Sequence, residues 1–202
     1  MNTPTKVIWH HSGGTDANPC LSTQGQNVNT IDNWHKTKWP GFQSTVYKNK
    51  AGEGWHVGYH FVIDVKQRQI HQCRGFSEEG AHTIGMNTSS IGVLIIGNYD
   101  ECSPDVISPD MYPLIHKVWK KCQTAAPRLQ LTDNVPHRTY ARKSCYGTKY
   151  SDTFIQHVLG DPGAKKIAIM KQVVELLEKK VALLLQMLSG RRLSLKENKY
   201  DV

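Results

Sequence analysis

The sequence predicts an α/β protein: a single domain of mixed strands and helices, plus a C-terminal amphipathic helix. Three observations predict it. Short β-branched runs alternate with helix-period segments through residues 1–160. "GDPG" at 160–163 then punctuates the chain. Beyond it, the apolar residues settle into one sustained 3–4 spacing.

"KVIWH" (6–10) reads as a short buried strand that runs out into polar and glycine residues. "NTIDNWHKTKW" offers Thr30 as N-cap, sets Ile31, Trp34 and Lys38 at helical spacing, and must stop at Pro40. "WHVGYHFVIDVKQRQIHQ" (55–72) reads as two strands about a turn near Lys66–Arg68, with Val57, Tyr59, Phe61 and Ile63 alternating. "SIGVLIIGNY" (90–99) is apolar and β-branched enough for a central strand buried on both faces. Ser108–Pro109 is a helix-start signature, and Leu114, Ile115, Val118, Trp119 and Cys122 form a stripe behind it, although Pro113 weakens the first turn. "SDTFIQHVL" (151–159) makes a last short helix. Pattern alone leaves the strand order open.

The tail, 161–202, has a different character. Apolar residues at 167, 170, 174, 177, 181, 184 and 188 follow a heptad seam within a helix of about 165–189. A second apolar row at 169, 173, 176, 183 and 187 widens the face. Such a helix needs a cover: copies of itself, the body of the protein, or a membrane surface. Self-association, giving a homo-oligomer, is favoured.

Formal net charge is +8, and the tail carries most of it. Residues 163–202 hold nine Lys and Arg against four Asp and Glu, a net of +5; residues 1–162 hold sixteen against thirteen, a net of +3. A nearly balanced body argues against a nucleic-acid partner. A basic tail suits an anionic envelope or membrane surface. The N-terminus lacks the apolar stretch of a signal peptide, and no apolar run is long enough to span a bilayer. Synthesis in the cytoplasm is therefore expected, with the five cysteines free or metal-bound.

The chemistry concentrates in "NVPHRTYARKSCYG" (134–147). Imidazole and thiolate are both good zinc ligands, but His137 and Cys145 stand eight residues apart and converge only if the loop folds back. A third ligand is offered by His10 or His11 at the end of a buried strand; alternation sends the two to opposite faces, so only one can take part. Two histidines and one cysteine leave a fourth zinc position open, as in catalytic sites. His35, His116 and His157 fall in predicted helices, where a surface or satisfied core histidine is the ordinary reading.

Four stretches in order, "VIWHHSGG", "GWHVGYHFVID", "GAHTIGMNTSSIGVLIIGNYD" and "PHRTYARKSCYG", span residues 7–147, about 70% of the chain. In them the chain resembles the type-2 N-acetylmuramoyl-L-alanine amidases, which include phage endolysins, peptidoglycan-recognition proteins and cell-wall recycling amidases. The resemblance implies a zinc amidase domain over 1–160, a mixed central β-sheet flanked by helices, with Zn²⁺ held by His10, His137 and Cys145 in a surface groove. It implies Tyr59 and Lys143 as catalytic residues and His82, within "GAHT", as a groove residue that binds substrate. Two positions depart from the family pattern: His56 where an acidic residue is common, and Tyr146 where proline often follows the cysteine. The activity implied is cleavage of the amide between N-acetylmuramic acid and L-alanine in peptidoglycan. The basic tail with its apolar helix favours an endolysin that reaches the wall after release, because it offers a way to engage an anionic envelope or to assemble copies. A cytosolic recycling amidase and a non-catalytic recognition module are the alternatives, and members of the latter kind lack the cysteine.

Overall fold

A computed structural model describes residues 3–161, 173–174 and 177–186. Five strands make one mixed sheet. They are β1 (Lys6–His11), β2 (Phe61–Asp64), β3 (Gln69–Gln72), β4 (Ser90–Ile95) and β5 (Asn134–Pro136), arranged β3-β2-β4-β1-β5. β4 runs parallel to both β1 and β2, β1 runs parallel to β5, and only the β2–β3 hairpin is antiparallel. β4 sits in the middle and is buried along its whole length, as its unbroken apolar run requires.

Helices cover both faces. α1 (Val28–Lys38) lays Val28 and Ile31 on one face, against Val62 and Leu94. α2 (Tyr112–Ala125) and α3 (Phe154–Gly160) cover the other, where Ile115, Val118, Trp119 and Ile155 meet Val7, Trp9, Phe61, Ile63 and Val93. Strand alternation therefore sends Val7, Trp9 and His11 toward α2 and α3, and His10 toward the α1 side. The indole N–H of Trp9 donates to Asn134 Oδ1 (3.0 Å), which ties β1 to the edge strand β5.

Several elements begin elsewhere than the sequence predicts. α1 starts three residues earlier than Thr30 allows, because the Asn27 carboxamide accepts from the Asn29 and Thr30 N–H groups and caps the helix first. Trp34, placed in the predicted stripe, is 45% exposed. The strand expected from residue 55 forms only from Phe61, because the peptide groups of 55–58 find other partners. His56 N–H donates to Asp32, Gly58 N–H to His35 Nδ1, and the Val57 carbonyl accepts from Arg74. Ahead of α2, Pro109–Met111 forms a separate 3₁₀ turn, and the α-helix opens at Tyr112 with Pro113 in its first turn, where a missing N–H is harmless.

The free-thiol expectation is overturned at two of five cysteines: Cys20 and Cys102 form a disulfide. They are 82 residues apart. They meet because β1 and β4 are parallel neighbours, so the loops that follow them leave the same end of the sheet. Cys73 and Cys122 are buried free thiols, and Cys145 is free and half-buried.

Of the tail, residues 173–174 and 177–186 are helical and exposed. The seam positions Val174, Leu177, Val181 and Leu184 lie among them; 167, 170 and 188, the outer bounds of the expected helix and the GDPG boundary from 162 onward lie outside the described residues. No helix among the described residues is long and apolar enough to cross a membrane.

Candidate metal centre and groove

The site forms where parallel strands end, the usual place for a ligand crevice in an open α/β sheet. β1 delivers His10. β5 pairs Pro136 with Trp9, so the next residue, His137, emerges beside His10, with ring centroids 4.5 Å apart. Cys145 returns to the same point because the loop closes on itself. The Arg138 N–H donates to the Cys145 carbonyl (2.7 Å), while the Arg138 guanidinium donates to the Gly147 and Tyr150 carbonyls (2.6 Å each) and to Asp152. From the other side, Asp100 accepts from Ser144 Oγ (3.1 Å) and Thr148 N–H (3.1 Å). The eight-residue spacing between His137 and Cys145 is thus bridged by a stapled loop.

The result is one cluster: donor atoms of His10, His137 and Cys145 all lie within 4.8 Å of one another. His10 Nδ1 is 3.7 Å from Cys145 Sγ. His11 is turned away and uses its Nδ1 to accept from the Tyr99 N–H (3.0 Å), while its own N–H donates to Cys145 Sγ (3.4 Å). Burial holds His10 well below the usual imidazole pKa, helped by His82 and His137; burial and then Lys143 lower His137. Both rings are neutral, as ligands must be. Burial pushes the Cys145 thiol up to about 12, against the opposing pull of the His11 N–H and Lys143. A thiolate there needs a cation beside it. Two neutral imidazoles and one such thiol, converging within bonding range of a shared centre, fit a zinc ion.

Around the cluster runs a groove of about 760 Å³. Tyr59, His82 and Lys143 all line it, as do His35 and Trp39 from the end of α1 and Asp100 from the loop after β4. The Tyr59 ring lies 5.0 Å from that of His10, and burial raises its phenol above the usual range. Lys143 is exposed on the stapled loop. His82 sits closer to the cluster than a plain wall residue: its Nδ1 is 3.2 Å from His10 Nε2 and 3.0 Å from Thr83 Oγ1. The ring is wedged over Gly92, where a Cβ would come within 2.5 Å of it. His56 is buried beside Asp32, outside the groove. Tyr146 turns into the core, and its hydroxyl donates to the Ser151 carbonyl (2.8 Å), so the departure after Cys145 leaves the groove surface alone.

Arg138, Asp100 and His35 were not singled out by sequence reasoning. Arg138 lies next to His137 and carried a signal that could have been read, since a loop forced to return needs a multidentate donor. His35 has the 1-in-3.6 spacing of any helical residue, and only the packed structure shows its ring against Tyr59 at 5.5 Å.

The chain belongs to the N-acetylmuramoyl-L-alanine amidase family, which it matches over residues 1–148. It is 40% identical to a human N-acetylmuramoyl-L-alanine amidase over 107 residues, 52% of this chain and 16% of that protein. It is 25% identical to the endolysin of Enterobacteria phage K11 over 144 residues, 70% of this chain and 80% of the endolysin. The chain therefore spans a small part of the human relative and most of the phage one. Among solved structures, N-acetylmuramoyl-L-alanine amidase LysC from Clostridium intestinale shares the fold, with a TM-score of 0.56 and 20% identity, covering 78% of this chain and 85% of that one.

Proposed function

We propose that the protein is a zinc-dependent peptidoglycan amidase of the phage endolysin kind, which hydrolyses the amide between the lactyl group of N-acetylmuramic acid and L-alanine. The observation that carries this reading is the convergence of His10, His137 and Cys145 within 4.8 Å at the floor of an open groove. His10 through Nδ1, His137 and the Cys145 thiolate would hold the ion. When bound, zinc supplies a Lewis acid for the carbonyl and lowers the pKa of water to about 7.

The chain's own residues supply the rest. Lys143, next to the cluster and charged, steadies negative charge that develops on the carbonyl oxygen. Tyr59 faces His10 with a phenol that burial keeps protonated, so it acts as a donor that orients water or the carbonyl and not as a free base. His82 lines the groove for substrate and also positions His10. With His10 Nδ1 turned to the ion, His10 Nε2–H donates to His82 Nδ1, which fixes the ring and its tautomer. The presence of the cysteine in the cluster weighs against a module that only binds wall fragments.

The tail supports a further part of the same reading. Leu177, Val181 and Leu184 of the seam are 55%, 54% and 58% exposed, with no cover from the body among the described residues. Pairing with a second copy buries that seam, and the basic charge of the tail favours contact with an anionic envelope. Such a protein meets the wall after its release from the cytoplasm.

Mass spectrometry of digested peptidoglycan, with and without a chelator, tests the bond and the metal together. New amino-terminal L-alanine that disappears on chelation is the expected result. Release of reducing sugar ends without free L-alanine would replace the amidase reading with a glycosidase one.

A further inference from the structure

We infer that a second groove, along the free edge of the sheet, is a binding site for an anionic glycan. It has a volume of about 630 Å³ and shares no lining residue with the groove that holds the His10–His137–Cys145 cluster. Its floor is β3, the edge strand, so one row of β3 peptide groups has no strand neighbour. Its walls are the 47–50 loop, Trp55, the start of α1 and Lys121 of α2.

The chemistry of the lining decides the ligand class. Four carboxamide side chains of the lining, Asn29, Gln67, Gln69 and Gln72, carry donors and acceptors suited to hydroxyl and acetamido groups, while Asn49 is engaged within the protein. Tyr47 and His71 supply flat apolar surface for the C–H faces of sugars, and the buried Trp55 packs behind His71. Three lysines, Lys48, Lys50 and Lys121, line it and no Asp or Glu does, with Asp32 set behind Asn49, so the lining favours negative charge. His71 Nε2, in the wall of the groove, is buried without a hydrogen-bond partner. Asn49 pre-orders the wall: its Oδ1 accepts from the Ala51 and Glu53 N–H groups (3.0 and 3.1 Å) and its Nδ2 donates to Asp32. An apolar peptide would find too few apolar partners here, and a neutral glycan would leave the three lysines unanswered.

The groove stands on its own chemistry; the choice of probe rests on the amidase reading, since a peptidoglycan strand stripped of its peptides carries a lactyl carboxylate on every second sugar and no amide to cleave. Calorimetric titration of the full chain would use this strand, an uncharged N-acetylglucosamine oligomer of equal length, and poly-L-glutamate, a polyanion without sugar. The carboxylated strand is expected to bind at least about tenfold tighter than either control. The double variant Lys50→Ala, Gln69→Ala, both exposed positions, is expected to lose that binding about tenfold or more. Its zinc content and its turnover of a soluble muropeptide should match wild type. No binding by the wild type, equal binding of poly-L-glutamate or of the neutral oligomer, or an unchanged affinity in the variant overturns the site. Failure of wild-type turnover while strand binding persists would remove the amidase reading and leave this one standing.

Discussion

Cys145 carries the sharpest consequence at the scale of single residues. Its thiol is held protonated by burial and is made a ligand only by a cation, so Cys145→Ser is expected to strip most of the zinc and abolish amide hydrolysis. Metal analysis and turnover on purified walls check it; wild-type lysis by this variant would sink the site. His82→Gln should leave the fold intact yet weaken zinc affinity by about 10–100-fold, as is usual when the group that orients a ligand imidazole is lost. Competition with a chromogenic chelator reads that affinity without any need for activity. Three other histidines turn out to be backbone acceptors. His11, His35 and His60 each use Nδ1 to accept an N–H, from Tyr99, Gly58 and Gly92 respectively. Burial lowers His35 and His60 to about 4, so both are neutral when folded. Unfolded, they take up protons near pH 6.5. Below that pH the unfolded state binds more protons, so stability falls until about pH 4, where the folded rings also titrate, at a cost of up to about 3 kcal/mol for the fully buried His60. Urea midpoints measured from pH 7 to pH 4 should drop, and His60→Gln should flatten part of that slope.

Elements decide how those residues meet. The loop from His137 to Cys145 has no regular structure after its opening turn, and Arg138 holds it by four hydrogen bonds. Arg138→Ala should therefore raise the mobility of Cys145 and reduce both zinc affinity and turnover, while leaving β5 in place; amide exchange at 138–147 would show faster opening in the variant alone. The Cys20–Cys102 bridge joins the loops that follow β1 and β4, both of which border the site. Reducing it, or replacing both residues by serine, should cost about 2–4 kcal/mol, since it closes a long loop in the unfolded chain. A matching fall in the thermal midpoint is the measurement, and an unchanged midpoint would show the bridge to be dispensable. The sequence was read well for β1, β4, α2 and α3, where apolar period and length agree. It was misread at 55–58, where the peptide groups bond to Asp32 and His35 of α1, to Arg74 and to the Tyr47 carbonyl instead of a neighbouring strand.

At the scale of the whole molecule, the balance of charge and apolar surface separates body from tail. The body covers both faces of its sheet, whereas the described part of the tail leaves Val181, Leu183, Leu184 and Leu185 more than half exposed. Removing residues 163–202 is expected to keep zinc and muropeptide turnover, and to change either the mass in solution or the action on intact cells. Light scattering and a lysis assay read the two; no change in either would remove the proposed role of the tail.

The sequence by itself determined the α/β class, the central buried strand and the residue types of the cluster, because apolar period and ligand chemistry are local properties of a chain. Strand alternation left His10 and His11 open, the resemblance to the amidases pointed to His10, and the fold brings His10 into the cluster; only the tertiary structure decided that Cys20 finds Cys102 and that His82 braces His10. Each of these depends on strand order and on which loops share one end of the sheet, and that is set by long-range pairing that no short stretch encodes.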